Sequence, residues 1–157
     1  MELVMREHQK EILDKLRQGF LAGNRSQVLY APCGAGKTEI AVNMMHAAAN
    51  KGRRSAMILD RRVLCTQTSA RLLKYRIPHG VLMAGSPMYR PDQPIQICTA
   101  QTLEKRESFP AVDLLIIDEA HCMRKETVEF IRNNPGVKVI GLSGSPFTKG
   151  MGAVYSS

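Results

Sequence analysis

A short pattern early in the chain, Ala-x-x-x-x-Gly-Lys-Thr over residues 31–38, constrains the fold most strongly. An apolar run at 27–30 precedes it and predicts a buried strand, and a segment rich in helix formers at 39–49 follows it and predicts a helix. A Gly-rich loop between a strand and a helix N-terminus binds phosphate through its backbone N–H groups. The pattern therefore predicts a phosphate-binding loop in an α/β protein.

The side chains of this loop indicate a nucleotide site with Mg²⁺. Lys37 is expected to reach the β- and γ-phosphate oxygens, and the hydroxyl of Thr38 is expected to face the metal ion. We expect Cys33 to act mainly as a small filler residue. The nucleotide-binding residues predicted for the loop are Pro32, Cys33, Gly34, Ala35, Gly36, Lys37 and Thr38.

Length and composition predict one globular domain, spanning residues 1–157. The net charge of +8, from 22 basic and 14 acidic residues, favours a polyanionic partner, although the charges are scattered. The four cysteines have no C-x-x-C spacing, which argues against a zinc site. No apolar run is long enough to span a bilayer and no secretory leader is visible, so we expect a cytoplasmic protein with reduced thiols and no membrane partner.

Apolar runs alternate with helix-forming segments along the whole chain. We predict strands at 27–30, 55–60, 80–84, 95–99, 112–118 and 137–142, and helices at 2–22, 39–49, 61–75, 101–106 and 125–132. Because the strands are almost continuously apolar, this alternation predicts a parallel sheet with helices on both faces.

The second chemical signal is the carboxylate pair Asp118-Glu119, which follows the apolar run at 114–117. Ligands of open α/β sheets bind at the carboxyl ends of the strands. We expect Asp118 to hold Mg²⁺ and Glu119 to orient and deprotonate a water, the two tasks that phosphoryl transfer needs beside a phosphate loop. The alternative is an acidic pair that caps the next helix.

With these motifs in order, the chain resembles the N-terminal RecA-like domain of superfamily-2 helicases and translocases, the DEAD/DEAH-box group. The restriction-subunit and phage-type DNA helicases are the branch that it resembles most. The resemblance covers nearly the whole chain. The matching segments are Arg6-Glu-His-Gln9 (R-x-x-Q), 31–38 (motif I), 60–67 (motif Ia), 99–102 (motif Ib), 118–121 (motif II, DEAH) and 143–145 (motif III).

The resemblance implies further roles at the nucleotide site. Gln9 would read the adenine edge of ATP, with Arg6 helping to close the pocket, whereas position alone favours an exposed polar residue on a helix. His121 would link the nucleotide site to motif III through Ser143 and Ser145. A Gly-Ser turn is the alternative for these serines, and this motif departs from the family's usual S-A-T or T-A-T.

Nucleic-acid contacts are also implied by the resemblance. Arg61, Arg62 and Gln67 follow the second predicted strand, Thr99 ends the fourth, and Gln101 begins the helix after it. Such positions hold phosphates of DNA, or of RNA, without reading bases. Solvated charge at a helix start is the alternative.

Superfamily-2 motors use two RecA-like domains, and we expect the second to be absent from these residues. The expected function is the ATP-binding half of an ATP-dependent helicase, with weak activity alone because the arginines of the second domain are missing. A single-domain P-loop kinase for a small substrate and a non-catalytic nucleic-acid-binding module are the alternatives. Release of phosphate, rather than transfer to a small acceptor, distinguishes the helicase from the kinase.

Overall fold

The computed structural model of the protein describes residues 7–30, 37–106, 110–119 and 125–143. The helices are α1 (Glu7–Leu21), α2 (Lys37–Asn50), α3 (Arg62–Lys74), α4 (Ala100–Arg106) and α5 (Lys125–Asn133). The strands are β1 (Ser26–Tyr30), β2 (Ser55–Leu59), β3 (Gly80–Leu82), β4 (Ile95–Thr99), β5 (Leu114–Asp118) and β6 (Lys138–Ser143). Every predicted element is present with slightly different ends, and residues 2–6 of the first predicted helix lie outside the described residues.

The six strands form one sheet in the order β1-β6-β5-β2-β4-β3, and every hydrogen-bonded pair is parallel. At the carboxyl edge, Tyr30 lies opposite Ser143 and Asp118 lies opposite Leu142. The last residues of these strands therefore share one edge of the sheet, where phosphate and metal ligands were expected.

Alternate side chains of the strands enter two separate cores, one on each face of the sheet. On one face Met57, Ile116 and Ile140 pack with residues of α1, α2 and α3. On the other face Ile58 and Leu115 pack with residues of α4 and α5. Because both faces are covered, the strands must be apolar throughout, and the predicted α/β class with helices on both faces is confirmed.

The start of β5 differs from its prediction for a local reason. The prediction begins this strand at residue 112, but the strand begins at Leu114. The carboxylate of Asp113 accepts a hydrogen bond from the backbone N–H of Arg54 at 2.9 Å, and the N–H of Asp113 donates to the Arg54 carbonyl at 2.8 Å. Asp113 therefore ties two chain segments together at the amino edge instead of extending the strand.

Two of the cysteines lie inside the protein. Cys65 on α3 and Cys98 on β4 are both free thiols with no exposed surface. Burial raises the pKa of Cys65 to about 11 and raises that of Cys98 well above its ordinary range. Both thiols therefore stay protonated at neutral pH.

Within the described ranges, no helix has the combination of length and apolarity that crossing a bilayer requires.

Arg25, just before β1, holds the end of α5 against the start of β6. Its Nε donates to the Val137 carbonyl at 3.0 Å, and its Nη2 donates to the Asn134 carbonyl at 2.6 Å and to the Ile131 carbonyl. Carbonyls at a helix C-terminus have no partner within the helix. One guanidinium therefore joins the end of α5 to the segment before β6 through three carbonyls, of which those of Ile131 and Asn134 also accept backbone N–H groups.

Replacing Arg25 is expected to destabilise the protein. Since a hydrogen bond from a charged donor is worth about 1.5–3 kcal/mol, Arg25→Ala should lower the free energy of unfolding by about 2–4 kcal/mol in urea denaturation. The control is Arg17→Ala, which removes an exposed guanidinium 3.7 Å from Asp14 and should cost less than about 1 kcal/mol. Equal losses in the two variants would contradict the role of Arg25.

Candidate active site

The candidate site lies at the carboxyl edge of the sheet, between the ends of β1 and β5. Lys37 is the first residue of α2, the helix that follows β1, and Asp118 is the last residue of β5. α2 contributes to the core on one face, and α5, the helix after β5, contributes to the core on the other. In open α/β sheets, ligands bind where neighbouring connections leave for opposite faces.

Three charged side chains meet at this edge. The Lys37 Nζ donates to Glu119 Oε1 at 2.9 Å and lies 3.6 Å from Asp118 Oδ1. The side chains of Lys37 and Asp118 are 18% and 11% exposed, and that of Glu119 is 35% exposed. The spatial convergence that the sequence predicted for Lys37 and Asp118 is therefore present, with one ammonium group between two carboxylates.

Burial and charge act in opposite directions on the pKa values of this cluster. Burial alone lowers the pKa of Lys37, but the hydrogen bond to Glu119 and the charges of both carboxylates outweigh it and raise that pKa. Burial raises the pKa of Asp118, Glu119 raises it further, and Lys37 offsets only part of the shift. Lys37 is thus firmly cationic, and Asp118 is a carboxylate that additional positive charge would stabilise.

Glu119 has an unusual backbone conformation. Its φ is 51°, in the left-handed region that residues with a side chain rarely occupy. Such a conformation costs on the order of 1–3 kcal/mol and is concentrated at functional sites. The sharp turn after β5 allows consecutive residues, Asp118 and Glu119, both to approach Lys37.

The described side chains supply few ligands for a metal ion. Among the described residues, no group of three or more His, Cys, Asp or Glu side chains is arranged to hold a metal. Oxygen donors near the start of α2 include the Asp118 and Glu119 carboxylates and the half-buried Thr38. Mg²⁺ is usually held by one or two protein oxygens together with water and phosphate, so this small donor set suits Mg²⁺ better than a zinc site.

The structure does not describe the side chains of several predicted site residues. Gln9 lies on α1 and Ser143 ends β6, but their side chains are not described. The roles expected for these two residues stay predictions, as do those of the residues outside the described ranges, which are Arg6, Pro32, Cys33, Gly34, Ala35, Gly36, His121 and Ser145.

The predicted nucleic-acid residues lie at or follow the carboxyl ends of β2 and β4 in the chain. Arg61 is the N-cap residue of α3, and Arg62 begins the helix with its Nη1 donating to the Ala84 carbonyl at 2.7 Å. Gln67 is exposed on α3, and the exposed Gln101 donates to the Asp60 carbonyl at 3.0 Å.

Thr99, unlike Gln67 and Gln101, is buried. Its side chain is 2% exposed, and its hydroxyl donates to Thr102 Oγ1 at 2.7 Å. The structure therefore places Thr99 beneath the edge, where it supports the start of α4, rather than at the surface where a phosphate would bind.

One contact near the site was not anticipated from the sequence. Glu39, in the first turn of α2, accepts hydrogen bonds from the Arg71 guanidinium and from the Tyr75 hydroxyl, the latter at 2.9 Å. This cluster ties the start of α2 to the end of α3. An acidic residue in the first turn is typical of any helix, so the sequence carries no signal for partners more than thirty positions away.

His79, which follows Pro78, lies in the core. It is 1% exposed, its Nδ1 donates to the Ile77 carbonyl at 3.0 Å, and its Nε2 accepts from the Ser69 hydroxyl at 2.6 Å. Burial lowers the pKa of His79, so this histidine is a neutral structural residue.

Comparison with known proteins identifies this architecture. The profile of the family described as type III restriction enzyme, res subunit, matches residues 2–148. A search of curated proteins finds no match.

Solved structures with the same fold include the UvsW helicase from bacteriophage T4, with a TM-score of 0.70 and 25% identity over 89% of this chain and 52% of that one. The Hef helicase domain of Pyrococcus furiosus gives a TM-score of 0.74 and 21% identity over 96% of this chain and 36% of that one. A nuclease-deletion mutant of the type ISP restriction-modification enzyme LlaGI, in complex with a DNA substrate mimic, gives a TM-score of 0.71 and 20% identity over 92% of this chain and 18% of that one.

The chain thus spans between 18% and about half of the length of these neighbours. The family profile, in contrast, covers nearly all of this chain, and Lys37 is paired with Asp118 at the carboxyl edge of its parallel sheet. The chain belongs to the type III restriction enzyme res subunit family and is a RecA-like domain of the superfamily-2 helicases.

Proposed function

We propose that this chain is the ATP-binding half of a DNA helicase or translocase, in which hydrolysis of Mg-ATP is coupled to movement along the nucleic acid. The observation that carries the proposal is the contact of Lys37, at the start of α2, with both carboxylates at the end of β5. A P-loop lysine beside an acidic strand end is the arrangement that phosphoryl transfer to water requires.

The charges of the described side chains fit Mg-ATP. Asp118 and Glu119 carry two negative charges against the single positive charge of Lys37, so the cluster favours a further cation. An ammonium has three donors, and the Lys37 hydrogen bond to Glu119 uses one of them, which leaves donors for phosphate oxygens. Asp118 and Thr38 would hold Mg²⁺, whose charge, when it is bound, stabilises the phosphate oxygens.

The chain's own residues then have separate tasks. Lys37 and the N–H groups at the start of α2 bind and orient phosphate, because the helix N-terminus adds partial positive charge. Glu119 is the general base that orients a water and accepts its proton, since its carboxylate is the more exposed of the pair. Gln9 and Arg6 would select adenine, and His121, Ser143 and Ser145 would couple the site to the nucleic acid.

DNA is the nucleic-acid partner that the proposed helicase function favours. Arg61, Arg62 and Gln101 are exposed beside the carboxyl edge of the sheet and Gln67 is exposed farther along α3, so their cations and amides can hold phosphates. The LlaGI structure contains a DNA substrate mimic, and a Sulfolobus solfataricus SWI2/SNF2 ATPase core of the same fold is in complex with dsDNA. Free thiols at Cys65 and Cys98 are compatible with work in the cytoplasm.

A second RecA-like domain, in a longer chain or another subunit, would complete the motor. We propose that its arginines reach the γ-phosphate across the cleft, and such arginines contribute about 10³ to 10⁵ in rate in related hydrolases. These residues alone should therefore bind Mg-ATP weakly and hydrolyse it slowly.

Removing the Lys37 ammonium should weaken nucleotide binding. Since a charge-assisted hydrogen bond is worth about 1.5–3 kcal/mol, Lys37→Ala should reduce the affinity for a non-hydrolysable Mg-ATP analogue by about ten- to a hundred-fold in calorimetry. The matched control is Lys125→Ala, which removes the lysine that begins α5 and lies 4.0 Å from the exposed Glu129. Unchanged affinity in Lys37→Ala would contradict the phosphate-binding role, provided that circular dichroism shows a folded protein.

Neutralising Glu119 should separate binding from chemistry. Glu119→Gln keeps the shape of the side chain but removes the base, so analogue affinity should change little while single-turnover phosphate release falls by at least about 100-fold. Glu129→Gln, on the exposed face of α5, is the control and should release phosphate as the parent does. Turnover by Glu119→Gln at the rate of the control would reject Glu119 as the base.

A further inference from the structure

A second concave site lies at the opposite edge of the sheet from Lys37. A cavity of about 520 Å³ opens between α1, α2 and the amino ends of β5 and β6. Leu16 and Phe20 of α1, Met44 of α2 and Ile140 of β6 contribute apolar walls. Ala47 also lines it, ten residues along α2 from Lys37, so the two sites are about 15 Å apart along the helix.

The α2 residues that line the cavity include two with small side chains. Ala47 and Ala48 face the space between the helices, where longer apolar side chains would fill it. The backbone of α1 is held close to β1, since the Gln27 amide donates to the Leu16 carbonyl at 2.8 Å. The walls therefore belong to regular elements of the fold.

The rim of the cavity is strongly basic. Arg17, Lys51, Arg53 and Lys138 line it, and Asp113 is the only acidic residue among the lining side chains. The Asp113 carboxylate already accepts the Arg54 N–H. In the part of the chain that the structure describes, Lys51, Arg53 and Lys138 form no ion pair, and the Lys138 ammonium lies 5.2 Å from the centroid of the Phe20 ring.

The combination of apolar walls and a cationic rim selects the class of ligand. A nucleic-acid backbone would meet the rim but leave the apolar walls without a partner. A docked helix would need apolar surface spread over a face, whereas Leu21 is the only largely exposed apolar side chain of α1 among the residues described. The volume falls within the range of roughly 300–1,000 Å³ that is typical of small-molecule sites.

We infer that this cavity binds a small amphipathic anion, with an apolar body of one or two rings or a medium-length acyl chain and a single carboxylate, sulfonate or phosphate group. The body packs against Leu16, Phe20 and Met44, and the anionic group meets Lys51 and Lys138 at the rim. Neither the sequence motifs nor the nucleotide site accounts for this cavity, and it stands independently of the proposed ATP site.

The test uses 1-anilinonaphthalene-8-sulfonate, a fluorescent aromatic sulfonate, with dodecanoate as competitor. The parent protein should bind one dye saturably, and dodecanoate should displace it while Mg-ATP should not. Ala47→Phe fills the cavity and should abolish this binding. Lys51→Glu/Lys138→Glu reverses the rim charge and should weaken binding by about ten-fold or more. Lys125→Glu, a charge reversal on α5 away from the cavity, should bind as the parent does.

Several results would overturn the inference. Equal dye affinity in Lys51→Glu/Lys138→Glu and in the parent would show that the rim cations do not contribute to the site. Because this variant changes only exposed side chains, it keeps the test decisive if Ala47→Phe fails to fold. Displacement by Mg-ATP would place the dye in the nucleotide site. Displacement by an acidic helical peptide but not by dodecanoate would assign the cavity to a protein segment.

Discussion

Parallel hydrogen bonding of all six strands is the constraint on which the rest of this structure depends. Because every strand points the same way, their carboxyl ends share one edge, and the helices that follow begin there with their N–H groups unpaired. The start of α2 and the acidic end of β5 are thus brought together by the topology of the sheet, although Lys37 and Glu119 are 82 positions apart in the sequence. Arg61 and Arg62, at the start of α3, reach the same edge for the same reason.

At this edge of the sheet, the balance between burial and charge determines the electrostatics of the candidate site. Two carboxylates compete for one lysine in a partly buried setting, where charges interact more strongly than they do in water. Removing the lysine would leave a buried carboxylate without its partner, and adding a divalent cation would satisfy it. The turn that positions Glu119 requires a backbone conformation that most residues avoid, so local stability is given up where the general base is proposed to act.

The sequence predicted the elements, the parallel sheet and the meeting of Lys37 with Asp118, because strand periodicity, the loop pattern and the edge rule are local or topological signals. It did not predict the clamp of Arg25 or the contact of Glu39 with Arg71, because these depend on where distant helix ends come to lie. The burial of Thr99 was missed for a similar reason. Its hydroxyl is satisfied within its own turn, and a motif position alone does not reveal how deep a side chain lies.

The two interior thiols have a practical consequence for chemical labelling. Cys65 and Cys98 are inaccessible and stay protonated, so alkylating reagents should not modify them while the protein is folded. Any alkylation of the folded protein would therefore fall on the other two cysteines of the sequence, Cys33 and Cys122. Since Cys33 belongs to the phosphate-loop motif and Cys122 follows the DEAH segment, protection of either thiol by nucleotide would give a direct footprint of the site without any substitution.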